Sequence, residues 1–550
     1  MSIFSMRKKH IYVSDVLISL LLTLLLRLAV NQETLHTSIS NSLSKELVAV
    51  ILTWIIVLAI LVITDMLLLR LSRDTKFSGT SHQSVLDKML NKEFKYLFLY
   101  VAILFFLLWL PYLIWTYPGS AWYDCSSSIK QFYGAADGFS NWNPIIQTLI
   151  MGGVIKLGDV LVNENFGVFL YLVVQMILAS TVISYVLVSF YKLTDRKSIF
   201  LLGVFCYGVL PVYPIYITAV GKDTNWSLFI LLLLFMTLRL KNDPGWLTVG
   251  RHKFLYVLAF IAVSLLRNTG VYIAIAFSLV AVMFIYRKNR IRFGTLIVGL
   301  TVAYTVWINA FLPFVGVSTA NMSRDSWNVQ LQQMARYINK YPEEISEHDK
   351  EIISKMTSYE DMASKYNPDI VDPVTNTYYG GDTMSKEEKT AFLDLYWRMF
   401  RKHPYVYIDA LVAKSCGYFT PLRYHSVKPF AIVGVCDVNA SVQVFIPDFN
   451  LYNIYNIDYY STYLSILQRI PIVSLFTHCG MWVWLIFFSL AYAIKRSRHT
   501  VLAFAPAFII ILGLLIVPVN NYFRYVLTLV FVAPFYIMSI YGDNKIGIST

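Results

Sequence analysis

Apolar segments of about twenty residues recur along most of this chain, and they constrain its fold more than any other feature. Each is long enough to cross a hydrocarbon core about 30 Å thick as an α-helix. Of the 550 residues, 57% are hydrophobic and only 14% are charged, whereas about a quarter of the residues in soluble domains are charged. The sequence therefore predicts an all-α polytopic membrane protein.

Apolar runs and basic loops together predict about twelve crossings. They lie near residues 11–30, 47–69, 96–116, 166–190, 199–219, 224–240, 254–268, 270–286, 293–312, 472–494, 500–518 and 523–541. Every second short loop is basic, as in RLSRDTK, YKLTDRKS, RLKNDPGWLTVGRHK, YRKNRIR and KRSRH. Because positive loops stay inside, these loops and both termini are predicted to be cytoplasmic. The first run lacks a small-residue cleavage site, so we interpret it as a retained signal anchor.

Two segments depart from simple crossings. Pro144 to Val162 is apolar, but a crossing there would place the next basic loop outside, so we expect an interfacial or re-entrant helix on the outer face. Arg267 to Gly270 joins two short apolar runs and predicts a tight helical hairpin within the bundle.

The crossings divide the chain into four parts. These are an N-terminal helix pair with a basic loop (1–95), a transmembrane core with outer loop 117–165 (96–312), a mainly helical extracytoplasmic domain (313–471) and C-terminal transmembrane helices (472–550). In the polar domain, residues 326–341 have helical spacing, a Ser cap and a stop at Pro342. Ser385 and Glu388 form a capping-box pattern for a helix that ends before Pro404. The runs VKPFAIVGVC and ASVQVFIPDF predict short strands or extended segments.

Other function classes find little support in the sequence. The net charge of +13 follows from the basic inner loops, so it does not indicate nucleic-acid binding. The five cysteines have no zinc spacing, although Cys416 and Cys436 can pair if both lie outside. No dinucleotide, P-loop, HExxH or GxSxG motif is present. The histidines are scattered, and His425 alone is a modest candidate for lining an outer site.

Asp124 is the leading candidate for chemistry. It follows an apolar segment and the Pro118-Gly119 turn, which places a carboxylate at the outer edge of the bilayer. Charged groups in that position are expensive and tend to be functional. The alternative is structural, because Asp before a helix is also a good N-cap.

Three basic groups are predicted to lie at the same face as Asp124. Lys222-Asp223 occupies an outer turn, where Asp223 either caps the next helix or, with Lys222, orients a phosphate or binds a cation. Arg267-Asn268 needs an anionic partner, either an internal carboxylate or a lipid phosphate. Arg524 suits a phosphate clamp, because a guanidinium binds two oxygens.

The order of these motifs resembles the GT-C glycosyltransferases, polytopic enzymes that use polyprenyl-phosphate sugars. The resemblance rests on the outer loop (Pro118, Gly119, Asp124, Gln131, then Trp142, Asn143 and Pro144), the Lys222-Asp223 turn, the Arg267-Asn268-Thr269-Gly270 hairpin, the VQLQQMAR helix and the NYFRY segment. The resemblance runs from about Leu97 to Tyr541, and the later motifs resemble those of a bacterial subgroup whose members are mostly uncharacterised. Related loops often carry His where this chain has Asn143, which leaves a second catalytic group unassigned.

This resemblance implies an inverting sugar transfer in the bacterial plasma membrane, on its outer face. Asp124 would be the general base, and Lys222, Arg267 and Arg524 would stabilise the leaving lipid phosphate, with Asp223, Asn268, Gln131, Trp142 and Asn143 as further substrate-binding residues. A divalent cation, Mg²⁺ or Mn²⁺, can assist in such a site. The implied partners are membrane lipids, a polyprenyl-phosphate-linked sugar donor and an envelope polysaccharide, teichoic acid or glycolipid acceptor. A flippase for a lipid-linked saccharide and an envelope polysaccharide polymerase or ligase remain open as alternatives.

Overall fold

The predicted all-α class is confirmed by the computed structural model of this protein. It describes residues 12–35, 47–72, 85–121, 124–134, 138–319, 326–379, 384–422, 433–434, 439, 441–444, 446, 448–454, 457–496 and 498–542. These are mainly helical, with one sheet of three two-residue strands. His425 and Cys436 lie outside the described residues, so the pairing of Cys416 with Cys436 stays a prediction.

The helices follow one another through short connections. In the first 319 residues they are α1 (Val13–Leu35), α2 (Leu47–Ser72), α3 (Val85–Leu90), α4 (Phe94–Trp115), α5 (Asp124–Phe132), α6 (Ile145–Leu161), α7 (Glu164–Thr194), α8 (Lys197–Val209), α9 (Val212–Ile217), α10 (Lys222–Asn242), α11 (Gly250–Leu266), α12 (Gly270–Phe284) and α13 (Arg287–Val306), which continues as a π-helix (Trp307–Phe311) and a last turn (Leu312–Phe314). Thereafter they are α14 (Asn328–Lys340), α15 (Glu347–Ser354), α16 (Tyr359–Ser364), α17 (Asp372–Thr375), α18 (Lys386–Lys402), α19 (Pro404–Ser415), α20 (Ile457–Leu467), α21 (Cys479–Arg496), α22 (Arg498–Val501), α23 (Ala505–Gly513) and α24 (Leu527–Tyr541). Short 3₁₀ segments are Trp246–Thr248, Pro342–Glu344, Cys416–Tyr418, Ser474–Thr477, Leu502–Phe504 and Phe523–Tyr525.

Seven of the described helices are long and apolar enough to cross a membrane. They are α1, α2, α4, α7, α10, α13 with its continuation, and α21. Shorter apolar helices are α8, α12, α24 and the segment Leu502–Gly513. Multi-pass membrane character follows from these lengths, whereas the twelve crossings remain a prediction, because the shorter helices fall below the length that spans a bilayer unaided.

The described residues of the basic loops lie together at one end of the helix bundle. Arg196, after α7, donates to the carbonyl of Ser72 at the end of α2 at 3.1 Å. Lys241, at the end of α10, donates to the hydroxyl of Thr500 at 2.9 Å. We call this end the Asp65 end and the opposite one the Asp124 end. Collecting the basic loops at one end agrees with the alternation in the sequence, while the side of the membrane on which they lie stays a prediction.

A buried ion cluster joins four helices at the Asp65 end. Lys495 lies 2.8 Å from Asp15 of α1 and 3.0 Å from Asp65 of α2, and Arg496 lies 2.7 Å from Asp65. Tyr541 of α24 also donates to Asp65. Two cations therefore face two carboxylates, which balances the charge of a group that is almost fully removed from solvent. This cluster ties the N-terminal helix pair to the C-terminal helices.

The predicted hairpin at Arg267–Gly270 is confirmed, and a close approach holds it. α11 ends at Leu266 and α12 begins at Gly270. A Cβ on Gly270 would lie 1.8 Å from the carbonyl oxygen of Val263, so only glycine fits without a shift of the backbone. That carbonyl accepts the indole N–H of Trp226 at 3.0 Å, which locks α10 against the hairpin.

Much of the polar region after α13 has a hydrophobic core of its own. Buried side chains of α14 to α19, from Leu331 to Tyr407, form this core, which is separate from the main cluster in the bundle. The helix before Pro342 and the capping box of Ser385 with Glu388 are both confirmed. The predicted Ser326 cap is wrong, because α14 begins at Asn328 and its N-cap position is Trp327.

The two segments of the polar region that were predicted to be strands or extended differ in their secondary structure. Val433–Gly434, within VKPFAIVGVC, is a strand, as predicted. Residues 441–443, within ASVQVFIPDF, are helical, so the extended prediction is wrong there. β propensity alone does not form a strand where no partner strand is available.

We predict that Gly270→Ala destabilises the protein by about 1–3 kcal/mol, because the added methyl group forces α11 and α12 apart. Gly294→Ala is the matched control, since nothing lies within 4 Å of a Cβ at that helical position. The control should gain about 0.5–1 kcal/mol from helix propensity. Thermal unfolding in detergent measures both, and equal melting temperatures for the two variants would contradict the close approach.

We also predict that Asp65→Asn costs about 3–5 kcal/mol, because it leaves a buried cation without its counter-charge. Adding Arg496→Met removes that cation and should restore part of the loss. Asp87→Asn breaks a pair with Lys197 whose side chains are 40% and 36% exposed, so it should cost less than about 1 kcal/mol. The same melting experiment applies, and a double variant less stable than Asp65→Asn would refute the charge-balance argument.

Candidate functional site

The three-stranded sheet brings distant segments of the chain together at the Asp124 end. β1 (Ser120–Ala121) pairs in parallel with β2 (Ala219–Val220), and β3 (Val433–Gly434) pairs antiparallel on the other side of β1. Because β1 and β2 run in the same direction, the helices that follow them begin side by side. α5 begins at Asp124 and α10 begins at Lys222.

The turn before β1 is held by a side chain from far along the chain. Gly119 has φ 149°, a left-handed conformation that favours glycine. The amide of Asn453 donates to the carbonyls of Thr116 at 2.8 Å and of Gly119 at 3.1 Å. This fixes the start of the Asp124 loop against the polar region.

Asp124 is the partner of two cations from other elements. Its Oδ2 lies 2.6 Å from Nη2 of Arg524 and 3.3 Å from Nζ of Lys222. Lys222 also donates to Oδ1 of Asn143 at 2.6 Å, and the Asn143 amide donates to the backbone carbonyl of Asp124 at 3.3 Å. Asp124, Asn143 and Lys222 therefore form one polar unit, in which Asn143 orients the lysine.

Asp223 is a second carboxylate at the site and contacts two of the cations. Its Oδ1 accepts from Nη1 of Arg267 at 2.9 Å, and its Oδ2 lies 3.2 Å from Nε of Arg524. The N-cap position of α10 is Gly221 with no side-chain cap, so the structural alternative of Asp223 as a helix cap is wrong. For Arg267 the internal ion pair is present, and its guanidinium also stacks 4.8 Å from the Trp226 ring.

The charges of this cluster do not balance. Three cations (Lys222, Arg267 and Arg524) meet two carboxylates (Asp124 and Asp223), so the cluster carries excess positive charge. Burial favours a raised pKa for Asp124, but Arg524 and Lys222 outweigh it and hold the pKa of that carboxyl well below its usual range. Asp124 is thus a stable anion when no ligand is bound.

A small cleft opens onto this cluster, with about 320 Å³ of space when its open mouth is included. Five of the sequence-predicted residues line it, namely Asp124, Asn143, Lys222, Asp223 and Arg524. The side chain of Asp124 is 39% exposed, whereas that of Arg524 is 9% exposed. The Asp124 carboxylate is therefore the accessible member of the pair, and Arg524 is its buried partner.

The other four predicted residues are not among those that line the cleft, and three of them contact its loop. Gln131 accepts the backbone N–H of Ser140 at 3.0 Å. Asn268 donates to the carbonyl of Trp142 at 3.2 Å, and Trp142 is 41% exposed. Arg267 is bound to Asp223, and the predicted contact of these four residues with a substrate stays a prediction.

Sequence reasoning missed several polar residues at the site. Asn141 accepts from the backbone N–H of Ile145 at 3.0 Å and exchanges hydrogen bonds with Asn268. Gln147 lines the cleft, is 4% exposed, and donates to the Tyr171 hydroxyl at 2.7 Å. A buried amide on an apolar helix was the available signal for Gln147, whereas Asn141 stood beside Trp142 in the loop already singled out.

A divalent cation finds no prepared ligand set in this part of the chain. Among the residues that the structure describes, no group of three His, Cys, Asp or Glu side chains is placed to hold a metal. Asp124 and Asp223 each bind cationic side chains instead. The predicted Mg²⁺ or Mn²⁺ would have to compete with those side chains.

Comparison with known proteins identifies a family but no activity. No curated protein and no solved structure matches the chain. A family model described as a family of unknown function (DUF6020) matches residues 135–548. The matched region includes Asn143, Lys222, Asp223, Arg267 and Arg524, and it begins after Asp124. Since the match covers most of the sequence, the chain belongs to the DUF6020 family.

Proposed function

We propose that this protein is a GT-C-type membrane glycosyltransferase that uses a polyprenyl-phosphate sugar. The observation that carries the proposal is the cleft in which the accessible Asp124 carboxylate lies against Arg524 and Lys222. A glycosyl transfer needs a base for the acceptor and positive charge for the departing phosphate. The cleft offers both within one polar unit, and its excess positive charge favours an anionic ligand.

The proposed reaction is a direct displacement at the anomeric carbon. The acceptor hydroxyl oxygen forms the new bond to that carbon while the bond to the phosphate oxygen breaks. The hydroxyl proton passes to Asp124, and the electron pair of the broken bond leaves with the polyprenyl phosphate. Lys222 and Arg524 stabilise the charge that develops on this phosphate.

Donor binding activates the base in this mechanism. Arg524 and Lys222 keep the pKa of Asp124 low in the free protein, which makes the carboxylate a weak base. A phosphate that accepts hydrogen bonds from these two cations reduces their hold on Asp124. The carboxylate pKa then rises towards its ordinary value, and Asp124 becomes able to take a proton.

The remaining parts of the chain fit this role. With the Asp124 end on the outer face, the polar region with its own core would stand beside the cleft, where an envelope polysaccharide, teichoic acid or glycolipid acceptor arrives. A flippase would move the lipid-linked sugar intact, whereas a transferase, polymerase or ligase releases the polyprenyl carrier. Release of the polyprenyl carrier therefore distinguishes a flippase, which does not release it, from a transferase, polymerase or ligase.

We predict that purified protein releases polyprenyl phosphate from a synthetic polyprenyl-phosphate sugar when an acceptor is present. Asp124→Asn should lower the rate by about 10²–10⁴-fold, the usual contribution of a general base. Asp361→Asn is the matched control, because Asp361 is also 39% exposed and lies 3.1 Å from a lysine. Product formation followed by mass spectrometry measures all three proteins.

The assignment fails if Asp124→Asn retains full transfer activity with unchanged folding. It also fails if the lipid-linked sugar crosses a proteoliposome membrane intact while no donor or acceptor pair yields released carrier. The melting temperature of Asp124→Asn serves as the folding check, since Arg524 keeps Asp223 as a partner.

The lowered pKa of Asp124 predicts an unusual pH profile. A depressed pKa means that the Asp124 carboxylate stays ionised to lower pH. Because kcat/KM reports the free enzyme, protonation of Asp124 should not lower kcat/KM until the pH is below about 4. In the donor complex the cations face the phosphate, so the acid limb of kcat should lie at higher pH. Lys222→Gln should raise the limb of kcat/KM, and coincident limbs for kcat and kcat/KM would contradict the coupling.

A further inference from the structure

A second concavity lies at the Asp65 end, between the beginnings of α11 and α13, and encloses about 1020 Å³ open to the surroundings. Its lining combines polar residues with apolar ones. The former include Lys253, Asn289 and Arg292, and the latter include Leu247, Phe293 and Leu296. No carboxylate is among the lining residues, so the concavity is basic as well as amphipathic.

The two cations of this concavity differ from other basic residues at the same end. Arg290 donates to the carbonyls of Ile285 at 3.2 Å and Met283 at 3.0 Å, and Lys241 bonds to Thr500. Among the described residues, neither the Lys253 nor the Arg292 side chain has an ion-pair or hydrogen-bond partner. They are therefore available to an anion, while Arg290 holds the end of α12 that forms one side of the concavity.

Helix geometry adds to the positive potential here. α11 begins at Gly250 and α13 begins at Arg287, so both N-termini lie beside the concavity. Each helix N-terminus carries about half a unit of positive charge. Two such ends and two cationic side chains make a setting that favours a phosphate.

A separate apolar groove lies between the concavity and the Asp124 end, along the same two helices. Along α13 the lining residues recur at helical spacing, through Arg292, Leu296, Leu300 and Tyr304 to Trp307. Such spacing places them on one face of the helix. At about 1.5 Å per residue this face is about 22 Å long, which exceeds half of a hydrocarbon core about 30 Å thick.

The facing wall of the groove comes from α11. Phe260, Ile261, Ser264 and Leu265 line it, and they follow Lys253 by two to three helical turns. α12 contacts both α11 and α13, and α11 meets α13 where Tyr256 packs edge to face on Phe293, with 5.3 Å between the ring centroids. The groove therefore lies beyond this ring pair along α11, and it is open to whatever surrounds the bundle.

We propose that this concavity and groove bind an anionic phospholipid, with its phosphate at Lys253 and Arg292 and one acyl chain along α11 and α13. The basic end of a membrane protein meets anionic headgroups, and each nearby cation contributes to their binding. A soluble anion uses the cations but has no use for an apolar groove. Phe254, 69% exposed, and Ile291, 82% exposed, follow Lys253 and precede Arg292 in the sequence and add exposed apolar surface next to the two cations. The proposal does not rest on the proposed sugar transfer.

The test counts phospholipids retained by the full-length protein in native mass spectrometry. The probes are palmitoyl-oleoyl phosphatidylglycerol and the phosphatidylcholine with the same chains, each added in increasing amounts. Wild type should retain phosphatidylglycerol in preference to phosphatidylcholine. Lys253→Gln/Arg292→Gln should weaken that retention about 30-fold, because each cation near an anionic headgroup contributes about a fivefold factor.

Two further variants separate the site from general surface charge. Arg287→Gln/Lys288→Gln removes two exposed cations of the same end that do not line the concavity, and it should change retention less than threefold. Leu296→Trp fills the apolar wall without changing charge, and it should also weaken retention. All variants alter partly or fully exposed positions, and melting temperatures check that they fold.

The proposal is overturned if phosphatidylglycerol and phosphatidylcholine are retained equally, or if the two double variants lose retention equally. It is also overturned if millimolar inorganic phosphate displaces the phosphatidylglycerol and Leu296→Trp has no effect, since the site would then bind a free anion. Loss of sugar transfer in Asp124→Asn with lipid retention unchanged leaves the phospholipid site intact, so the two proposals fail separately.

Discussion

The contact on which the Asp124 end depends is the bridge that Arg524 makes between two carboxylates. Its guanidinium lies 2.6 Å from Asp124 and 3.2 Å from Asp223, and the side chain is 9% exposed. A buried guanidinium cannot lose its proton, so it must be neutralised by neighbours. The starts of α5, α10 and α24 are consequently fixed against one another. Lys222, Asn143 and Arg267 complete the arrangement around that bridge, and the cleft exists because these elements meet there.

Much of the fold followed from the sequence because membrane helices obey local rules. Apolar length predicted the long helices, and the alternation of basic loops predicted which helix ends lie together, as the contact of Arg196 with Ser72 illustrates. The capping box at Ser385 could also be predicted, because it depends on two residues only three positions apart. The small sheet could not be predicted from the sequence, because two-residue strands are too short to show a periodic pattern. Asn453 shows the same limit, since its partners at Thr116 and Gly119 are more than three hundred residues away.

The two ends of the bundle treat buried charge differently, and that contrast bears on function without any resemblance to other proteins. At the Asp65 end, Lys495 and Arg496 are matched by Asp15 and Asp65, and both carboxylates are buried. Such balance suits a structural tie between helices. At the Asp124 end the cations outnumber the carboxylates, and a cleft reaches them. A charge that the fold leaves unmatched beside an opening is the kind that a ligand neutralises.

The structure also changes the choice that the sequence left open for Asp124. From its position before a helix, the residue was either a cap or a base, yet its carboxylate binds Arg524 and Lys222. A carboxylate paired with two cations is a poor base until something else takes those cations. Under the proposed function, the donor phosphate is the group that does so, which means that the donor must bind before an acceptor hydroxyl can be activated. The ion pairs that stabilise the empty cleft would then also keep the base inactive until a sugar is present to be transferred.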